Sequence, residues 1–185
     1  NLTPDCKPIA TKSRRYSKAD KKFIDWEIKR LLKEDIIEKS TSPWRAQVLV
    51  TTNERHKKRR VVDYSQTINR YTQLDAYPLP RVEEQVNEIA KNTVFSTIDH
   101  KDAYYQIPIR EEDRKYTAFE ANGGLYQSKR LHLGVTNGVP CFQRNMDRFI
   151  EKHNLDKTFA YLDNVTVCGV DQEEHDKNLS KLLTA

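Results

Sequence analysis

Apolar positions in this chain recur with two different periods, and most of its elements can be placed from them. Residues 1–16 are polar, carry Pro4 and Pro8, and read as an extended arm. From Ser17 the period is helical. Phe23, Ile24, Ile28, Leu31 and Leu32 share one side of a helix over 18–34, with Ser17 as N-cap and Asp20 completing a weak capping box. Ser40 to Pro43 breaks the pattern. Gln47 to Thr51 is a β-branched run that predicts a strand, 52–60 a charged loop or hairpin tip, and Arg60 to Asp63 the start of its partner. Tyr77-Pro78-Leu79-Pro80 breaks the chain again. A helix is predicted over 81–91 with Val82, Val86, Ile89 and Ala90 as its apolar face, and a strand over 94–98. Another helix is expected over 140–152 with Phe142, Met146, Phe149 and Ile150 on one side. Strands at 159–162 and 165–168 flank Asp163-Asn164, and a last helix begins at Gln172. Helices mixed irregularly with short strands predict an α+β layer rather than regular βαβ units.

Composition narrows the class. The 185 residues fit one domain or two subdomains sharing a core, and apolar residues, at 37%, are numerous enough to build it. The net charge of +5 suits an anionic partner, nucleic acid being the common one. Cys6, Cys141 and Cys168 form no metal-ligand spacing, and their odd number argues for a reducing, intracellular compartment. No apolar run reaches membrane-spanning length and no signal peptide is visible in these residues, so no membrane partner is expected. The start at Asn1 without Met, and the stop inside a helical pattern at Ala185, suggest a segment of a longer polypeptide.

Two carboxylates stand where chemistry could use them. Asp99 closes an apolar strand, and a hairpin at Tyr161-Leu162-Asp163-Asn164 would place Asp163 at a tight turn. If the strands are neighbours, the two converge, and converging carboxylates suit magnesium, which takes hard oxygen ligands and leaves positions open for phosphate. The spacing alone equally describes a solvent-facing Asp and an ordinary Asp-Asn turn.

The surrounding motifs change that balance. Thr41-Ser42-Pro43-Trp44, Val61-Val62-Asp63-Tyr64 and Tyr77-Pro78-Leu79-Pro80-Arg81 occur in order. Phe95-Ser96-Thr97-Ile98-Asp99, Ala103-Tyr104-Tyr105-Gln106-Ile107, Leu133-Gly134-Val135-Thr136-Asn137, Phe142-Gln143-Arg144 and Tyr161-Leu162-Asp163-Asn164 follow. From about residue 8 to about residue 183 this series resembles the reverse transcriptase of Ty3/gypsy-type retrotransposons. The resemblance implies a right-hand polymerase with fingers and palm subdomains and no thumb. The arm spans 1–16, 17–93 is mainly fingers, and 94–185 is mainly palm with some fingers elements.

It also implies roles. Asp99, Asp163 and Asn164 match the catalytic positions, and Asp99, Asp163 and the His100 backbone carbonyl would hold two Mg2+ ions, with Mn2+ as a possible substitute. Arg59 matches the residue that grips an incoming deoxynucleoside triphosphate. Tyr104 matches the steric gate under the sugar, and Gln143 lies near the nucleotide. Lys57, Lys58, Arg144 and Tyr161 would face nucleic acid, as would Lys129 as a further phosphate contact. Without the resemblance, the lysines read as solvated charges, Gln143 and Arg144 as solvent-facing helix residues, and Tyr104 as a core tyrosine. Phe23, Trp26 and Trp44 can be read as base-stacking aromatics. Helical spacing instead makes Phe23 and Trp26 core or partly buried packing residues. The expected partners are an RNA or DNA template-primer and the thumb, ribonuclease H and integrase regions of a polyprotein. The expected location is the cytoplasm, in virus-like particles.

The match departs from the family pattern at two places. Asn164 stands where the second Asp of the Tyr-x-Asp-Asp box is usual, and His132-Leu133 replace Pro-Phe before Gly134. A neutral amide supplies less negative charge against divalent ions. An inactive remnant that binds nucleic acid is therefore the competing expectation.

Overall fold

Capping starts the first helix where the sequence places it. The Ser17 hydroxyl accepts the Asp20 N–H at 3.1 Å and donates to the Asp20 carboxylate at 2.8 Å. In the computed structural model, which describes residues 1–53 and 57–185, the elements in chain order are α1 (Lys18–Lys33), β1 (Ile37–Lys39), β2 (Ala46–Thr52), β3 (Lys58–Asp63), α2 (Val82–Ile89), β4 (Val94–Asp99), α3 (Glu111–Arg114), β5 (Phe119–Ala121), β6 (Gly124–Ser128), α4 (Gly138–Lys152), β7 (Thr158–Tyr161), β8 (Asn164–Gly169) and α5 (Gln172–Thr184). The chain forms two units, each of two segments: 1–74 with 104–138, and 75–103 with 139–185.

The first unit is a five-stranded sheet in the order β1-β6-β5-β2-β3. Its pairs are antiparallel except β2–β5, which is parallel from Ala46↔Phe119. α1 packs on this sheet through Ile24, Ile28 and Leu31, which are buried, whereas Leu32 stays exposed. Trp44 lies in the core, its ring met edge-on by Tyr71 and Tyr116 at 6.0 and 5.9 Å. The arm is pinned to the sheet by a parallel bridge between Ala10 and Arg45. β5 and β6, absent from the sequence reading, are joined by Asn122-Gly123 with φ of 47° and 82°. That two-residue turn needs positive φ at both positions, which Gly and Asn accept most readily. The expected hairpin at 47–63 is present with Thr52↔Lys58 as its last described pair; Glu54, Arg55 and His56 at its expected tip lie outside the described residues.

The second unit is the antiparallel sheet β4-β8-β7, with α5 packed on β8 and β4. Val165, Val167 and Cys168 are fully buried. Gly169 permits close passage of α5: a Cβ there would stand 2.3 Å from the His175 backbone nitrogen. His175 is buried and its Nε2 lies 3.0 Å from the Ser96 hydroxyl.

Two expectations about packing are corrected. Val82 and Val86 of α2 are 51% and 54% exposed, so the helix exists but its apolar face is not buried. Trp26, expected to be core or partly buried, is 60% exposed; it stacks on half-buried Phe23 at 6.3 Å instead of entering the sheet. The interior side of α1 is already filled by Ile24, Ile28 and Leu31. Among the described residues no helix is long and apolar enough to cross a membrane.

Candidate functional site

The β4–β8 pairing sets the geometry of the carboxylates. The register runs Ile98↔Val165 and Asp99↔Asn164, so Asp99 and Asn164 are directly opposed at the end of the ladder. β7 and β8 close at Tyr161↔Asn164, which leaves Leu162 and Asp163 as the two-residue turn. Asn164, expected in the turn, is therefore the first residue of a strand. Two-residue hairpin loops are favoured because their twist matches that of the strands.

Backbone bonds then tie Asp163 to the end of β4. The His100 N–H donates to the Asp163 carbonyl at 2.9 Å, and His100 Nδ1 lies 3.3 Å from the same oxygen. Asp99 and Asn164 are exposed, whereas His100, Tyr161 and Asp163 are half-buried. The Asn164 amide reaches Asp163 Oδ1 only at 3.5 Å. Among the described residues no group of three or more His, Cys, Asp or Glu side chains could hold a metal. What is present is two carboxylates with one neutral amide beside them.

The turn is held from behind. Leu162 has φ 54°, a left-handed conformation uncommon for a branched side chain. Its N–H donates to Gln143 Oε1 at 3.0 Å. Gln143 is fully buried on α4, and its Nε2 donates to Asp147 Oδ1 at 2.9 Å and to the Ala160 carbonyl at 3.1 Å. Both amide hydrogens and the oxygen are thus engaged within the protein. Arg144 is half-buried; its Nη2 donates to the two Asp75 oxygens at 2.5 and 2.6 Å, and its guanidinium lies 4.7 Å from the Tyr77 ring centre. Arg144 holds the Asp75 carboxyl below the usual range, chiefly through this hydrogen bond.

The remaining expected residues lie in the first unit. Arg59 is exposed on β3, paired with Thr51. Lys57 is exposed, immediately before β3. Lys58 and Lys129 are engaged by carboxylates: Lys58 donates to Asp20 at 2.6 Å and Lys129 to both oxygens of Asp35 at 2.6 Å. Tyr104 is half-buried in the short turn over 103–106.

Strand alternation turns Arg60 the other way from Arg59. Its guanidinium sits 5.1 Å from the Phe119 ring centre, with Nε and Nη1 buried and unpartnered. His132 is buried beside Tyr105 and Phe119, its Nε2 also without a partner. Burial, and then the charge of Arg60, push its pKa well down. His132 was legible in sequence only as a departure from Pro-Phe. Asp75, Tyr77 and Asp147 carried no sequence signal for the contacts they make.

Comparison with known proteins gives the family and the fold. A family profile described as reverse transcriptase (RNA-dependent DNA polymerase) matches residues 36–185. The retrovirus-related Pol polyprotein from transposon gypsy of Drosophila melanogaster is 29% identical over 98% of the chain, which spans 18% of that polyprotein. The enzymatic polyprotein of cauliflower mosaic virus (strain Strasbourg) is 32% identical over 98% of the chain and 27% of its own length. The chain thus spans well under a third of these curated relatives. The prototype foamy virus protease-reverse transcriptase (selenomethionine-labelled CSH mutant) superposes with a TM-score of 0.88 at 23% identity, over all of this chain and 24% of that one. The foamy viral enzyme in complex with RNA/DNA hybrid gives 0.84 at 23% identity, over all of this chain and 25% of that one. These likenesses give the fold as α+β of the fingers-and-palm type.

Proposed function

Since this chain belongs to the reverse transcriptase (RNA-dependent DNA polymerase) family, we propose that it carries the nucleotidyl-transfer site of a Ty3/gypsy-type RNA-directed DNA polymerase. The observation that carries this reading is the Asp99↔Asn164 register with the His100–Asp163 bond, which brings the two carboxylates to adjacent positions at a strand end.

The donors fit a hard divalent cation: two carboxylates, a neutral amide and backbone carbonyls, all oxygen. Asp99 and Asp163 would hold Mg2+, or Mn2+ in its place, with the His100 carbonyl assisting. Two such ions, when bound, activate the attacking primer hydroxyl and steady the leaving oxygen of the triphosphate. Asn164 lowers the charge the protein supplies, so the substrate's own phosphates complete the site. Arg59 would grip the triphosphate, Tyr104 would wall the sugar, and exposed Lys57 with Tyr161 would follow the template-primer. Lys58 and Lys129 would have to leave Asp20 and Asp35 to contact phosphate. The first unit corresponds to fingers and the second to palm. The natural setting is a polyprotein with thumb, ribonuclease H and integrase, acting in virus-like particles.

The test is primer extension on an RNA template by the parent protein carrying this chain. Asp99→Asn should reduce extension by roughly three orders of magnitude or more, since metal-assisted charge stabilisation supplies several kcal/mol of the barrier lowering. Near-normal extension would remove Asp99 from the site.

A further inference from the structure

We propose that Gln143, Asp147 and Tyr77 form a positioning relay that sets the Leu162-Asp163 turn, and through it the Asp163 carboxylate; this rests on the polymerase reading of that carboxylate.

The relay is continuous in the second unit. Leu162 N–H donates to Gln143, Gln143 donates to Asp147 Oδ1, and the Tyr77 hydroxyl donates to Asp147 Oδ2 at 2.5 Å. Tyr77 is fixed at its other end: its N–H donates to Asp75 Oδ1 at 3.1 Å, and its ring lies under Arg144, which is itself bonded to Asp75. The Asp75–Tyr77 segment therefore grips α4 at 144 and 147, while α4 grips the turn at 143. A second brace meets the same strand, since Gln85 of α2 also donates to the Ala160 carbonyl at 3.0 Å.

Three features argue for positioning over ligand binding. Gln143 has no amide hydrogen left for a nucleotide. Its oxygen satisfies an N–H that the β7–β8 ladder leaves unpaired in a strained turn. Asp147 has one oxygen on Gln143 and the other on Tyr77, so its carboxylate joins the two. A saturated, partly buried network of this kind fixes one geometry, because a change at any member leaves a polar group unsatisfied.

The mild variant is Tyr77→Phe, which removes one hydroxyl and keeps the ring beneath Arg144. The severe one is Gln143→Leu. In the parent protein, Tyr77→Phe should lower kcat about tenfold with KM for deoxynucleoside triphosphate little changed, because a small misplacement of a reacting group can cost up to a hundredfold. Gln143→Leu should lower kcat further. Amide hydrogen exchange at Leu162 supplies a readout without metal or substrate: Tyr77→Phe, which does not touch the turn, should accelerate it several-fold while the global unfolding midpoint stays near wild type. Unchanged Leu162 exchange in Tyr77→Phe overturns the relay, whatever the kinetics. A fall in KM-based affinity with kcat intact overturns it too, since it would make these residues substrate contacts. If exchange is coupled but wild type does not extend primers, the relay stands and the polymerase reading falls.

Discussion

Replacing Asn164 with Asp puts a second carboxylate directly across the ladder from Asp99. Opposed residues of an antiparallel pair have Cβ atoms about 5 Å apart, and Asp99 and Asn164 are such a pair at an exposed strand end. Two unit charges at that separation repel by about 0.8 kcal/mol at the dielectric of water and by about 3 kcal/mol at an effective value near 20. Exposure of both side chains places the pair near the aqueous limit, so the metal-free variant should lose about 1 kcal/mol. For a chain of this size that corresponds to a melting point lower by ~2–4 °C. The sign with pH follows. Mutual repulsion raises the folded-state pKa of the pair, so the penalty is absent below about pH 4, where both are protonated unfolded or folded. It grows as pH rises through the carboxylate range. The assay is urea or thermal unfolding in chelator at low salt and at about 0.5 M added salt, a strongly screening condition, then with added Mg2+. The deficit should shrink with salt, and Mg2+ should stabilise the variant more than wild type, because ligand binding to the folded state adds stability by mass action. In extension assays the variant should reach half-maximal rate at lower Mg2+. Equal metal-free stability in low salt would mean positions 99 and 164 do not face each other. A loss indifferent to salt would mean that the effect is packing rather than charge.

Acidification should weaken the first unit through His132: burial keeps the folded imidazole neutral while the unfolded one protonates below about pH 6.5, so stability present above that pH is lost as pH falls towards the depressed folded-state pKa. His132→Leu should flatten that dependence by up to about 1.4 kcal/mol per pH unit in denaturation curves between neutral and mildly acidic pH; parallel curves would contradict it. Tyr104→Val should raise ribonucleotide incorporation relative to deoxyribonucleotide in single-nucleotide extension, and unchanged discrimination would remove Tyr104 from the sugar pocket. Gly123→Ala should destabilise the first unit by about 1 kcal/mol, since its φ of 82° penalises a Cβ although no atom within 4 Å obstructs one; unchanged stability would refute the strain argument.

The long periodic elements were readable in the chain: α1, the helices from Pro140 and Gln172, and the strands leading to Asp99 and flanking Asp163 all occur within a residue or two of their expected bounds. The hairpin of β5 and β6 carried its own signal in Asn122-Gly123, yet strands of three and five residues give the alternation too little length to stand out. The face of α2 misled because Val82 and Val86 have helical spacing, and spacing reports a face without reporting what covers it. The candidate site divides in the same way. Asp99 and Asp163 were marked by ordered motifs, whereas their adjacency depends on β4 pairing with β8, a long-range event no local pattern encodes. Gln143 reads as a surface residue until its three bonds across α4, β7 and the turn are seen.

The parallel pairing of β2 with β5 has a consequence for how the protein is born. Once Asp63 has left the ribosome, β2 has β3 to pair with on one side, but the strand for its other side begins at Phe119. Between them the chain must supply the whole 75–103 segment, which belongs to the other unit and is itself incomplete until residues 139–185 arrive. For much of synthesis, then, an apolar strand has an open hydrogen-bonding edge, the kind of template that recruits other chains. Translation rate and chaperone occupancy across this interval should therefore govern the yield of folded protein more than the stability of the finished sheet does.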